Sequence, residues 1–458
     1  MKATVAQAAA ALTLLVFTYS HHADTAQPAL KEKMWKPLCR IAGELRKIPT
    51  IARGKIKKLQ DSAKAGRELA LKLSILAEQG TAENKNTAFV ALAAGLTAQA
   101  EAKTSAVAAF TTVAMRATAT AMEAVGGIED TIRLLKTSAT GGEYCLGSDA
   151  TATADGSSMT KASGCEGNEP QLDGSEPSVA ETVLSATGYA EIDTVTTTNG
   201  VADSDKCGMW KKQSLSSGPG HSTAATPELA LGLLKITADE QVTRTSQQTI
   251  SKSDRSEATT LLEKVHFDRL AVQAQETSGA TTDVDALLKA AALDGAALAE
   301  VKRALKDTTP DITVADLETA APKKLTELFK ADGSNAPEIW KVAKKTPVAD
   351  ITAAGAKTKE IAAVTGIETL QATMSYYMRA KAAELKKLEA EFKKLKEDKE
   401  NKKTKISEEK ECNSAGDDEE KCKELKEKGC TYDENKDKPK FTLKKVKNKE
   451  NKGKNRKR

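Results

Sequence analysis

Between residues 41 and 77, apolar and small residues recur in steps of three and four, at Ile41, Leu45, Ile48, Ala52, Ile56, Leu59, Ala63, Gly66, Ala70, Leu73 and Ala77. This spacing predicts a long helix with a heptad-like seam. Arg53, Lys55, Lys57, Lys58, Asp61, Lys64, Arg67 and Glu68 fall mainly off the seam and face water. Pro49 stands inside it, where a missing N–H kinks or restarts a helix, and Gly80 marks a turn. A second Ala-rich pattern runs over 87–135 through Phe89, Leu92, Leu96, Ala100, Val107, Phe110, Val113, Met115, Met122 and Val125, with Gly126-Gly127 as its weak point. Two such segments joined by a short connection predict an antiparallel helical hairpin, about 60 to 70 Å long at 1.5 Å per residue.

The pattern then breaks. Residues 137–220 are rich in Gly, Ser, Thr, Asp and Ala, as in the run from Thr151 to Ser158, and read as surface loop. Helical patterning returns over 227–236 and 257–276, and in a compact group over 283–330 capped by residues such as Thr282 and Asp311. A last helix starts near Ile367 and passes through Tyr376-Tyr377, Leu385, Leu388, Phe392 and Leu395. Residues 393–410 are almost wholly charged and read as its solvated tail or a linker.

Composition sharpens this picture. Hydrophobic residues make up 40% of the chain but aromatic residues only 3%, so the core must lie between closely approaching helices. An all-α, elongated rod is expected. The 69 basic and 64 acidic side chains leave a formal charge of +5, a mixed surface that implies no nucleic-acid partner. The final 436–458 segment holds twelve basic and two acidic residues, but its one aromatic, Phe441, offers no stacking platform.

Lys2, the apolar run from Ala8 to Phe17 and the small and polar residues from Ser20 to Thr25 have the build of a cleaved secretory signal, so the mature chain folds where thiols oxidise. Seven cysteines then fall into two groups. Cys39, Cys145, Cys165 and Cys207 are separated by about two hundred residues from Cys412, Cys422 and Cys430. The late group has neither the spacing nor the histidines of a zinc site, and four early cysteines admit three pairings. The divisions expected are a signal over 1–24, a helical domain over 25–395, a charged linker over 396–410, a small bridged domain over 411–445 and a basic tail over 446–458.

Chemistry is sparse. There is no phosphate-binding Gly loop ending in Gly-Lys-Ser/Thr, no His-Glu-x-x-His, no Cys-x-x-Cys and no Gly-x-Ser-x-Gly. His266 reads as a packed or surface residue, and His221 as part of the turn after Ser217-Gly218-Pro219-Gly220. No catalytic, cofactor-binding or metal-ligating residue is nominated, and no Asn-x-Ser/Thr sequon occurs.

The chain resembles the trypanosome variant surface glycoproteins with a four-cysteine N-terminal domain. The resemblance rests on Trp35-Lys36-Pro37-Leu38-Cys39, Leu45-Arg46-Lys47, Leu134-Leu135-Lys136 and Tyr144-Cys145-Leu146. It is strongest in Glu411-Cys412-Asn413, Glu420-Lys421-Cys422, Lys428-Gly429-Cys430-Thr431-Tyr432 and Lys440-Phe441-Thr442-Leu443. It implies Cys39 paired with Cys165 and Cys145 with Cys207, a homodimer built on the hairpins, and outer loops exposed to host antibodies. It also implies a dense cell-surface coat that gives antigenic variation and immune evasion without catalysis or cofactor. A fourth late cysteine is expected where Phe441 stands, leaving one of Cys412, Cys422 and Cys430 unpaired. A lipid anchor to the plasma membrane is implied too, whereas the sequence as written ends in a basic run from Asn451 to Arg458. Secretion or retention is expected if that signal is absent. The alternatives are a related helical-hairpin receptor for a host serum protein and an archived, non-functional coat-gene copy.

Overall fold

The computed structural model describes residues 29–80, 83–140, 143–147, 160–195, 207, 209, 226–237, 241–414, 430–432 and 441–443. The signal, the run from Thr151 to Ser158, His221, Cys422 and the basic tail lie outside them. The chain divides into two units, Met1–Val348 with Thr358–Leu370, and Ala349–Lys357 with Gln371–Arg458.

The first unit is organised on three helices, α1 (Glu32–Leu45), α2 (Lys47–Glu78) and α3 (Glu83–Thr137). The break before α2 is the restart that Pro49 requires, since proline has no N–H to offer the Leu45 carbonyl. Gly80, at φ +69°, turns the chain toward α3. α2 and α3 pack along one another as the expected hairpin, at 32 and 55 residues, or roughly 48 and 83 Å by helical rise. Their interface is narrow because much of it is alanine and glycine. Gly66 of α2, for instance, would place a Cβ 3.6 Å from that of Ala100.

α3 continues unbroken through Gly126-Gly127 to Thr137. A Cβ on Gly127 would lie 2.5 Å from Leu231 Cδ2, so the glycine makes room for a packed side chain. Leu231 itself corrects another expectation, because 227–236 is no helix. It forms β5 (Glu228–Leu229) and β6 (Leu234–Ile236), with positive φ at Ala230, Leu231 and Gly232 between them, and β6 also pairs with β7 (Val242–Arg244). The turn is held from outside, the Ala230 N–H donating to Thr131 Oγ1 of α3 at 3.1 Å. Tertiary contacts here override helix propensity. Other short strands are β1 (Ala139–Thr140) with β2 (Glu143–Tyr144), and β3 (Leu184–Ser185) with β4 (Gly188–Tyr189).

Helix α4 (Leu261–Ala274) lies against α2 and α3 and opens with a reciprocal capping box between Thr260 and Glu263. Four shorter helices follow, α5 (Val284–Ala292), α6 (Gly295–Thr308), α7 (Val314–Phe329) and α8 (Asn335–Ala343). The first three are capped by Asp283, Asp294 and Thr313 rather than Thr282 and Asp311; each side-chain oxygen accepts an orphan N–H of the first turn. α5 rests on α3 where Gly95 leaves no side chain, a Cβ there falling 2.3 Å from the Ala291 carbonyl oxygen. Strands β8 (Pro347–Ala349) and β9 (Thr358–Glu360) come next.

The second unit contains most of α9 (Ile367–Ser414), so the charged stretch is a direct continuation of the helix. Ala349 donates its N–H to Tyr377 Oη at 2.9 Å. Beyond α9, β10 (Cys430–Tyr432) pairs antiparallel with β11 (Phe441–Leu443), setting Phe441 opposite Tyr432. Cys430 is buried and disulfide-bonded. Cys412 falls in the last turn of α9, its side chain outside the described residues.

Candidate functional surface at the bridged end of the hairpin

Three chain segments converge where α3 ends beside α1. Cys39 in α1 is bonded to Cys165, with Cα atoms 4.5 Å apart, and Cys145 to Cys207 at 4.7 Å. All four are buried. The first bridge brings loop backbone directly onto α1, and Gly164 permits it. At φ +104°, a Cβ on that residue would sit 2.6 Å from the Cys39 carbonyl oxygen.

Charged groups fix this crossing. Arg46 pairs with Glu129 of α3 and donates through Nη1 to the Gly164 carbonyl at 2.7 Å, while burial lowers the Arg46 pKa. Glu129 also accepts the Glu166 N–H at 2.6 Å, and Lys136 pairs with Glu166 at 2.9 Å. One carboxylate thus ties the end of α1, the body of α3 and the bridged loop together.

The second bridge is braced by a parallel β-bridge between Leu30 and Leu146 and by Trp35, whose Nε1 donates to the Gly147 carbonyl at 2.9 Å. Behind it, Pro37 leaves the Lys33 carbonyl without its helical donor. Arg244 supplies the replacement from β7, with Nη1 donating to Lys33 O at 3.0 Å and to Met34 O at 3.2 Å. Its Nη2 pairs with Asp193.

A third cluster pins α4. Asp268, 1% exposed, accepts from Arg116 at 2.9 Å, Arg255 at 2.5 Å and Thr120 Oγ1 at 3.1 Å. Arg269 donates to the Ser185 carbonyl and meets His266 Nδ1 at 3.1 Å. Burial, and then the Arg269 charge, bring the His266 pKa down to about 4, so its lone pair faces a cation and not a substrate. Tyr189 donates to the Leu262 carbonyl at 2.7 Å, and burial raises its pKa well above the ordinary phenol value.

These groups are architectural. A cleft of about 590 Å³ beside them is lined by Lys36, Arg40, Glu191, Asp193 and Arg244, of which Arg40 and Glu191 pair at 2.6 Å and Asp193 pairs with Arg244. Among the described residues no group of three or more His, Cys, Asp and Glu side chains could hold a metal ion, and no helix is long and apolar enough to cross a membrane. Sequence reasoning missed Arg46, Glu129, Asp268 and Arg244. The signal for α4 was present, since Arg269 occupies a position in the apolar period of Leu262, Val265 and Val272.

A long helical hairpin with a doubly bridged end defines the class of fold, and comparison with known proteins gives its family. The model of the trypanosome variant surface glycoprotein (A-type) family matches residues 10–378. The chain belongs to this family. Variant surface glycoprotein ILTAT 1.24 of Trypanosoma brucei brucei is 29% identical over 411 residues, covering 88% of this chain and 78% of that protein. Variant surface glycoprotein MITAT 1.4A of the same organism is 27% identical over 428 residues, covering 91% and 79%. The solved structure of MITat 1.1 superposes with a TM-score of 0.60 over 80% of this chain and 99% of that one; at 17% identity it speaks to the fold.

Proposed function

We propose that this chain is a subunit of the protective trypanosome coat, a homodimer held at the plasma membrane through its C-terminal side, with the bridged end outermost. Identical subunits packed side by side shield the invariant membrane proteins beneath them. Exchanging one family member for another changes the loops that antibodies meet, which is antigenic variation without any chemistry at the surface.

The observation that carries this reading is where the chain leaves the first unit. Lys72 and Gln79, near the C-terminal end of α2, donate to the carbonyls of Ala362 and Pro347 at 3.1 and 3.0 Å. Residues leading to Leu370 therefore lie at the hairpin turn, whereas both early bridges lie at the opposite end of α2, about 48 Å away by helical rise. The bridged loops are thus at the end of the first unit opposite the point where the chain leaves it. The half-buried ion pairs there hold a fixed platform while the glycine- and serine-rich loop segments are free to differ in sequence.

Treating intact cells that express this gene with a phosphatidylinositol-specific phospholipase tests the proposal. Release of the chain into the supernatant is expected. Chain found in untreated medium, or retained inside the cell, would overturn the coat assignment.

A further inference from the structure

Residues 378–400 of α9 are exposed on every side, yet they carry an apolar stripe. Met378, Leu385, Leu388, Phe392 and Leu395 are 55%, 54%, 54%, 70% and 67% exposed. Taking Met378, Leu385 and Phe392 as heptad a positions, Leu388 and Leu395 are d positions, with Lys381 the single polar interruption. A helix that needed only to be solvated would have no use for leucine and phenylalanine on one seam amid lysine and glutamate.

We infer that this seam binds the same seam of a second copy as a parallel two-stranded coiled coil. The flanking charges favour one direction over the other. In a parallel pair Glu391 at g faces Lys396 at e of the other copy, twice, set against two Glu384 to Glu389 contacts. An antiparallel pair with leucines opposed would set Glu391 against Glu391, Glu389 against Glu389 and Glu384 against Asp398, so every charged contact would repel. The parallel arrangement keeps both chains running in one direction, as two subunits tethered to one membrane must. The inference deepens the homodimer reading above by assigning it a second contact, in the other unit of the chain.

Single cysteines placed in the purified full-length chain test this. Leu388→Cys and Leu395→Cys are oxidised mildly and compared on non-reducing gels with Ala390→Cys, which lies on the opposite face of the helix. Covalent dimer at both d positions is expected, about tenfold above that at 390, because a bridge needs Cα atoms within about 7 Å. A parallel pair aligns both residues with their own copies; an antiparallel pair can align only one. Adding Leu385→Lys, an exposed change the subunit tolerates, should abolish the Leu395→Cys link. Linkage equal at all three positions, at one d position only, or at neither overturns the inference, including the case in which another segment of the same chain covers the stripe. A chain that dimerises elsewhere without these links leaves the coat reading standing. A chain that forms them but is not released by phospholipase defeats the coat reading alone.

Discussion

Arg116 on α3 and Asp268 on α4 are joined at 2.9 Å, the carboxylate 1% exposed and the arginine side chain 42% exposed. Asp268 holds three helical and loop segments at once, since Arg255 and Thr120 share it. Replacing Asp268 with Ala should cost about 3 kcal/mol, the low end for a broken buried ion pair, because both arginines keep partial access to water. Denaturant unfolding of the variant measures this, and a loss below about 1 kcal/mol would mean that the pair is decorative.

The two adjacent glycines of α3 should respond in opposite directions. Gly126 meets nothing within 4 Å, so Gly126→Ala replaces a poor helix former and should stabilise by about 0.5 to 1 kcal/mol. Gly127→Ala drives a methyl into Leu231, whose own backbone is held at φ 63°, and should destabilise by about 1 to 3 kcal/mol. Thermal unfolding of the pair, run side by side, reads the sign directly.

Pro37 and Arg244 should be energetically coupled. Arg244→Ala strips the Lys33 carbonyl of its replacement donor in a part-buried site, at a cost of about 1 to 2 kcal/mol. With Pro37→Ala, residue 37 regains an N–H for that carbonyl, so the same arginine deletion should cost at least about 0.5 kcal/mol less. Additive single and double variants in a mutant cycle would show that the proline and the arginine act independently.

Stability should fall with pH through one histidine. His266 takes its proton near pH 6.5 when unfolded and only near 4 in the fold. Between those values only the unfolded state gains the proton, so lowering the pH weakens the fold by up to about 1.4 kcal/mol per pH unit and about 3 kcal/mol in total. Above about pH 7.5 the contribution is flat. Unfolding free energies measured from pH 7.5 to 4 should show this slope, and His266→Asn should remove that part of it whatever its effect on absolute stability.

The hairpin was legible because its seam repeats over many turns and because proline and glycine punctuate it with local chemistry. Pro49 and Gly80 act through their own backbones, so sequence places them well. Gly127 and Leu231 act on each other across about a hundred positions, and neither strand pairing nor a side chain packed on a bare helix backbone leaves a local mark. Hence the leucine-rich stretch 227–236 imitated a helix. The caps were displaced by one or two residues because several Thr and Asp residues compete at each helix start. The ion clusters around Glu129, Asp268 and Arg244 were hidden for the same reason as the strands, each joining residues far apart in the chain.

The two early bridges interlace, Cys145 lying inside the 39–165 loop and Cys207 outside it. A protease that severs one peptide bond anywhere from residue 39 to residue 207, in the hairpin turn or in the loops beyond α3, leaves two fragments that are still covalently attached. Such damage sheds no part of the bridged end.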